Sequence, residues 1–409
     1  MTPAARAPRL GLVLSGGGAR AAYQVGAIRA LAEISRGRQT PFSILAGVSA
    51  GAINAVALAS HADDFRASAE RLWATWSAIT PDRVYRTDIW SLGRIGSRWL
   101  EELTLGGLFA GHINHLLDTS PLRGFLEQEL DFAAVERNLG RGSLRGVAVS
   151  ATNYHTGTAI TFYATEPRPA PPIEPWMRSM RLGQSARLRM DHVLASCAIP
   201  IFFPPVQIDG SYFGDGCVRL NSPLSPAVHL GAEGIIAIGV RCLRSAQTTG
   251  ELNHPDQLAS PALSEIGGVL LNAVFLDSLE SDAELLERTN GTIARLAPAE
   301  RERLRPPLRQ IPILVLRPSQ DLGLLAVRQH QHFPRALRYL LRGIGVTHER
   351  GADLLSYLAF APEYIGRLLE LGRADTLARR AEVESFFEAS RASLGENAPP
   401  RPHEAAPRK

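Results

Sequence analysis

Two glycine-framed turns, each set between a short apolar run and a helix-like stretch, lie one strand-helix unit apart near the start of this 409-residue chain. The first follows Leu10-Gly11-Leu12-Val13-Leu14 and reads Ser15-Gly16-Gly17-Gly18-Ala19-Arg20, ahead of an apolar-periodic segment with Tyr23, Val25, Ile28 and Leu31. The second is Gly47-Val48-Ser49-Ala50-Gly51, between an apolar run at 42–46 and a small-residue stretch at 50–61. Strand, helix, strand, helix in that order predicts a right-handed βαβ start to a parallel sheet, with both turns at one sheet edge. A glycine run at a helix start also leaves several backbone N–H groups aimed at one spot, which suits an anion.

The pattern downstream extends the sheet. Residues 146–152 and 159–163 read as paired strands around a turn at His155-Thr156-Gly157, and the proline-rich stretch 166–175 reads as an exposed loop. Ile201-Phe202-Phe203 and Val206-Gln207-Ile208 read as strand and precede Asp209-Gly210, a hairpin signal; the return run Tyr212-Phe213 ends at Gly214-Asp215-Gly216. Continuous apolar runs at 235–240 and 311–316 are of the buried-strand kind. Residues 66–140 read as mainly helical, with Thr119-Ser120-Pro121-Leu122 as a cap and first turn. These runs predict an α/β domain over 8–320, a helical region over 321–392 and a disordered tail over 393–409.

Composition narrows the class. With 45% hydrophobic and 21% charged residues the chain has globular balance, which excludes a mainly disordered or fibrous protein. Cys197, Cys217 and Cys242 match the spacing of neither a disulfide framework nor a zinc site, so a reducing compartment and no bound metal are expected. Arg6 and Arg9 precede too short an apolar run for a signal peptide, and the uncharged stretch 39–62 fits strand, turn and helix better than a membrane span. The expected location is cytoplasmic, soluble or peripheral at the inner membrane face. A net charge of +4, carried almost wholly by arginine since Lys409 is the one lysine, permits weak attraction to phosphates and anionic membranes.

The two turns carry the chemistry. In Gly47-Val48-Ser49-Ala50-Gly51 the glycines relieve crowding where strand meets helix, so Ser49 can sit strained and accessible as a nucleophile. Attack on a carbonyl creates an oxyanion, for which Gly16, Gly17 and Gly18 supply candidate N–H donors. Arg20 either orders that loop or meets a lipid phosphate. Gly16-Gly17-Gly18-Ala19-Arg20-Ala21 also satisfies a dinucleotide-binding G-x-G-x-x-G/A pattern, which leaves a nucleotide-dependent oxidoreductase open, although no acid stands at the end of the second strand to hold a ribose. His229, His254, His330 and His332 come late enough to serve a serine, yet none sits in a convincing strand-end loop. Asp215, held between glycines at a hairpin end, is the carboxylate best placed to act at a site; a turn-forming Asp is the plainer reading.

Together the glycine run with Arg20, the Gly47 to Gly51 elbow, Ala195-Ser196-Cys197-Ala198-Ile199-Pro200, and Asp215-Gly216 before Asn221-Ser222-Pro223-Leu224 resemble the patatin-like phospholipases in order and spacing. The resemblance covers 8–245, and reaches 320 if the later strand is included. It implies a three-layer α/β fold with a mainly parallel central sheet flanked by helices. It also implies a Ser-Asp dyad without histidine: Ser49 as nucleophile, Asp215 as base, Gly16, Gly17 and Gly18 as the oxyanion loop, and no cofactor. The implied substrate is a lipid or other acyl ester, with no nucleic-acid partner and no protein partner inferable. A catalytically silent lipid-binding member is the further alternative. Ala21 and Cys217 depart from the family pattern, which has glycine at the first position and glycine or alanine at the second.

Two segments interleave arginines with large apolar residues, as a membrane-facing rim would. They are 83–100, with Arg83, Tyr85, Arg86, Trp90, Arg94, Ile95, Arg98 and Trp99, and 176–190, with Trp176, Met177, Arg178, Met180, Arg181, Arg187, Arg189 and Met190. The competing expectation for both is helices packed on the core with arginines facing water.

Overall fold

Residues 9–35, 37–86, 114–169, 171–243, 263–303, 308–328, 338 and 352–396 are described by a computed structural model. Among the described residues ten strands form one sheet: β1 (Leu10–Leu14), β2 (Phe42–Val48), β3 (Gly146–Asn153), β4 (Thr158–Thr165), β5 (Met177–Arg178), β6 (Arg181–Ser185), β7 (Val206–Ile208), β8 (Ser211–Asp215), β9 (Gly234–Ile238) and β10 (Ile313–Leu316). The order is β10-β9-β1-β2-β3-β4-β6-β5, and β10, β9, β1, β2 and β3 pair in parallel. β1 and β9 are buried along their whole length, as strands covered on both faces must be.

Helices cover both faces, making three layers. Leu12, Leu14, Leu45 and Val149 face the larger core, shared with α1 (Ala22–Ile34), α2 (Ala50–Ser60), α3 (Phe65–Ser77) and the helix Pro362–Ala378. Val13, Ile44, Ala46 and Ala148 face the smaller core, under the helix Asp277–Arg295. Tyr357, Phe360, Tyr364, Leu368 and Leu369, at near-helical spacing, all pack into the larger core.

β3 decides where chemistry can occur. On one side it pairs along its full length with β4, antiparallel, from Gly146↔Thr165 to Asn153↔Thr158. On the other side β2 runs up to Val48, opposite Ser150, and there β8 takes over in the opposite direction, from Phe213 opposite Asn153 to Asp215 opposite Ala151. Two strands thus meet end to end along one edge of β3, so the residue after Val48 and the last residue of β8 are neighbours.

Two local expectations fail. Ile201 to Phe203 is not a strand: Ile201 sits at φ 72°, exposed, and makes an isolated bridge to His115 outside the sheet. The segment 176–190 is not a helix but the small hairpin β5–β6, with β6 parallel to β4 and a helix, Met190–Ser196, starting at its end. Trp90, Arg94, Ile95, Arg98, Trp99, His254, His330, His332 and residues 397–409 lie outside the described residues.

Candidate active site

Ser49 follows β2 and opens α2 with φ 55° and ψ −136°, a conformation that a non-glycine residue holds only when its surroundings force it. Those surroundings are visible. A Cβ on Gly47 would overlap the Gly51 carbonyl, and one on Gly51 would lie 2.6 Å from the Ser15 carbonyl oxygen, so the turn folds tightly against itself and against the end of β1. The Ser49 N–H donates to Ser196 Oγ at 2.9 Å, and the Ser196 hydroxyl donates to the Ser150 carbonyl at 2.6 Å. Ser196 therefore pins the elbow to β3.

Asp215 is held as firmly. Its N–H donates to the Ala198 carbonyl at 2.9 Å, and its own carbonyl accepts from Thr152 Oγ1 at 2.8 Å. Oδ1 accepts the Cys217 N–H at 2.9 Å, while Oδ2 is buried without a hydrogen bond. Burial pushes the carboxyl up to about 7, opposed by the nearby Ser49 hydroxyl and by Cys217, which favour the charged form. Ser49 and Asp215 are neighbours whose side chains stop short of a closed hydrogen bond. Such contacts commonly tighten only when substrate binds.

The first glycine turn lies against this pair. A Cβ on Gly16 would sit 3.0 Å from Ser49 Cβ and would overlap Cys217 Sγ, so only glycine lets the loop approach. Among the described residues the N–H groups of Gly17 and Gly18 meet no protein acceptor, the condition an oxyanion donor needs. Gly18, at φ 55°, packs onto the backbone of Tyr357. Arg20 is buried and faces away into a network of its own. Nε donates to Ser356 Oγ at 2.7 Å, Nη2 pairs with Asp353 Oδ1 at 2.8 Å, and the guanidinium lies 4.4 Å from the Tyr357 ring centroid. Of the two roles open to Arg20 from sequence, its hydrogen bonds describe the ordering of the loop. A second buried chain ties the same loop to α2: Trp76 Nε1 donates to Asn54, Asn54 to Gln24, and Gln24 to the Ser15 carbonyl, at 2.8, 3.1 and 2.7 Å.

Ser49 borders a cavity of about 30 Å³ walled by Ile53, Trp76, Ile79, Phe125, Phe203 and Phe360. The serine is only 1% exposed and Asp215 is fully buried, so the accessible serine expected from sequence is roofed over. Among the described residues no histidine lines this cavity. His229 lies elsewhere, stacked 4.6 Å from Trp176, and burial with nearby Arg178 and Arg181 lowers it to about 4. Among the described residues no group of three or more His, Cys, Asp or Glu could hold a metal ion. The end of β2 carries Ser49 where a dinucleotide fold needs an acid.

Ser196, Ala198, Thr152 and Asp353 were not singled out from sequence for these roles. A small polar residue closing an otherwise apolar helix end, as Ser196 does, was the one local signal available.

The family model of the patatin-like phospholipases matches residues 12–228, more than half of the chain. The chain belongs to the patatin-like phospholipase family. Lipid acyl hydrolysis is the activity of that family, and the match spans both turns and Asp215. Among solved structures, human GIVD cytosolic phospholipase A2 is similar at 12% identity and a TM-score of 0.45, covering 94% of this chain and 60% of that one. VipD from Legionella pneumophila is similar at 13% identity and a TM-score of 0.33, covering 92% of this chain and 67% of that one. This patatin-like chain thus spans about three fifths to two thirds of the solved relatives it matches. No curated protein matches it. Among the described residues no helix is long and apolar enough to cross a membrane.

Proposed function

We propose that the protein is a serine lipid acyl hydrolase that cleaves acyl esters of phospholipids or related lipids through an acyl-Ser49 intermediate. Asp215 takes the proton of Ser49 Oγ as that oxygen attacks the ester carbonyl carbon. The N–H groups of Gly16, Gly17 and Gly18 receive the oxyanion, each such donor contributing roughly 3 kcal/mol to the lowered barrier. Collapse breaks the ester bond, and Asp215 returns the proton to the leaving alcohol. Asp215 then takes a proton from water, whose oxygen attacks the acyl-serine carbonyl; the acyl–Oγ bond breaks, the fatty acid leaves, and Asp215 returns the proton to Ser49 Oγ. A carboxylate raised to about 7 is a far better base than an ordinary aspartate and is matched to neutral pH. The apolar cavity beside Ser49 suits an acyl chain, and its present size requires the lining side chains to rotate as the chain enters.

The reading rests chiefly on one observation: Ser49 and a buried, incompletely bonded Asp215 meet beside a glycine turn with free N–H groups. The test is hydrolysis of short-chain nitrophenyl esters and phospholipid vesicles by the wild type, Ser49→Ala and Asp215→Asn, each checked for folding. Both variants are expected to lose at least about 10³-fold in kcat. Wild-type rates from Ser49→Ala would remove the serine from the mechanism, and lipid binding without turnover in any form would favour a silent lipid-binding protein.

A further inference from the structure

The loop that carries Asp215 continues onto an exposed surface. Four residues on, Arg219 Nε donates to the Gly157 carbonyl at 2.8 Å, in the turn between β3 and β4. A Cβ on Gly157 would lie 3.5 Å from Arg219 Nη2 and 3.8 Å from Met180 Cε, so arginine and methionine flank one turn. Tyr154 opens that turn and packs over Gly214, next to Asp215. The surface is apolar where water would be expected: Met177 is 76% exposed, Tyr212 44%, Tyr154 43% and Met180 43%. β3 is parallel to β2, so the turn after it projects from the same sheet edge as Ser49.

Charge sets the partner. In the β5–β6 hairpin Arg178 and Arg181 are directly opposed, a like-charge pairing that destabilises a hairpin unless something anionic relieves it. Neither forms an ion pair among the described residues, and neither does Arg219. Asp209, on the rim of the adjoining groove, is already paired with Arg189 at 2.6 Å. Exposed methionines and tyrosines beside arginines that form no ion pair match a bilayer interface, where apolar side chains enter the acyl boundary and arginines meet headgroup phosphates.

The geometry points to the 154–157 turn, the β5–β6 hairpin and Arg219 as one docking face for membranes containing anionic phospholipid, presented at the catalytic edge of the sheet. This face goes beyond the hydrolase reading, and its test requires no turnover. The experiment uses full-length Ser49→Ala protein, so that the vesicles stay intact, and sedimentation with vesicles of phosphatidylcholine alone or mixed with phosphatidylglycerol. Binding is expected on the mixed vesicles only, weakening as salt rises. Arg178→Ala/Arg181→Ala in the same background should weaken it by about 30-fold, and Met177→Asp should weaken it at every salt concentration. Arg66→Ala/Arg71→Ala, which removes two exposed charges from α3, should bind as the parent does. Equal binding to both vesicle types, an unaltered Kd for Arg178→Ala/Arg181→Ala, or an equal loss in the α3 variant would each overturn the proposal. With Ser49 restored, the hairpin variants should keep their rate on soluble nitrophenyl esters. Absence of that rate in the wild type would count against the hydrolase and leave the vesicle result standing.

Discussion

Asp215 sets the pH behaviour of both activity and stability, and the two run in opposite directions. In the proposed mechanism the base works ionised, so kcat/KM on a soluble ester should fall about tenfold per unit below pH 7 and level off above it. For stability, the folded value of about 7 lies above the unfolded one near 3.8, so ionisation costs the native state alone. That cost is absent below the unfolded value, grows as pH rises between the two, and is constant above 7. Asp215→Asn should therefore gain on wild type in urea unfolding by about 2 kcal/mol on going from about pH 5.5 to about pH 8.5. A pH-independent margin, or a rate profile centred near 4, would mean the carboxyl is not held in the dry site described. Ser49 adds strain at the same point, since its left-handed backbone is maintained by the Ser196 hydroxyl and by the close approach of Gly51 to β1.

At the scale of elements, the glycine turn between β1 and α1 is held from outside the family-matched region. The helix Ala352–Leu358 supplies Asp353 and Ser356 to Arg20, and Tyr357 to both Gly18 and the Arg20 guanidinium. Lysine cannot reproduce that forked set of bonds. Arg20→Lys is expected to lower kcat about 10- to 100-fold with little change in KM, and adding Asp353→Asn should cost little more because both act through one network. A variant that loses stability but keeps its kcat would show the strut to be irrelevant to the chemistry. This clamp also marks the limit of what the sequence discloses. The strands flanking both turns, the Asp209-Gly210 hairpin and the pairing of β3 with β4 were legible because periodicity and turn residues are local signals. Asp353 stands 333 residues after Arg20, and no local pattern links them. The run at 201–203 misled because its apolar side chains serve loop packing around a left-handed Ile201. The segment 176–190 misled because β4 offers a free edge that captures it as strand.

At the scale of the molecule, the helices beyond the family match are part of the core. β9 completes the hydrogen bonding of β1, and the helix Pro362–Ala378 covers α1 through a backbone-to-backbone approach. A Cβ on Gly26 would overlap the Leu369 carbonyl, and one on Gly372 would overlap the Tyr23 carbonyl; Arg373 and Glu33 pair beside them at 2.7 Å. Gly366 lies in the same helix with nothing within 4 Å of its would-be Cβ. The two glycines give opposite predictions. Gly366→Ala meets open space and should gain the helix-propensity difference, about 0.5–1 kcal/mol. Gly372→Ala gains the same propensity but must push backbone from backbone, and overpacking of that kind costs roughly 1–3 kcal/mol, so its net effect should be destabilising. Urea unfolding of both variants reads the difference directly. Equal gains would mean that α1 and its partner helix do not touch this closely, whereas a stabilised Gly366→Ala beside a weakened Gly372→Ala locates the close packing at the face that roofs α1.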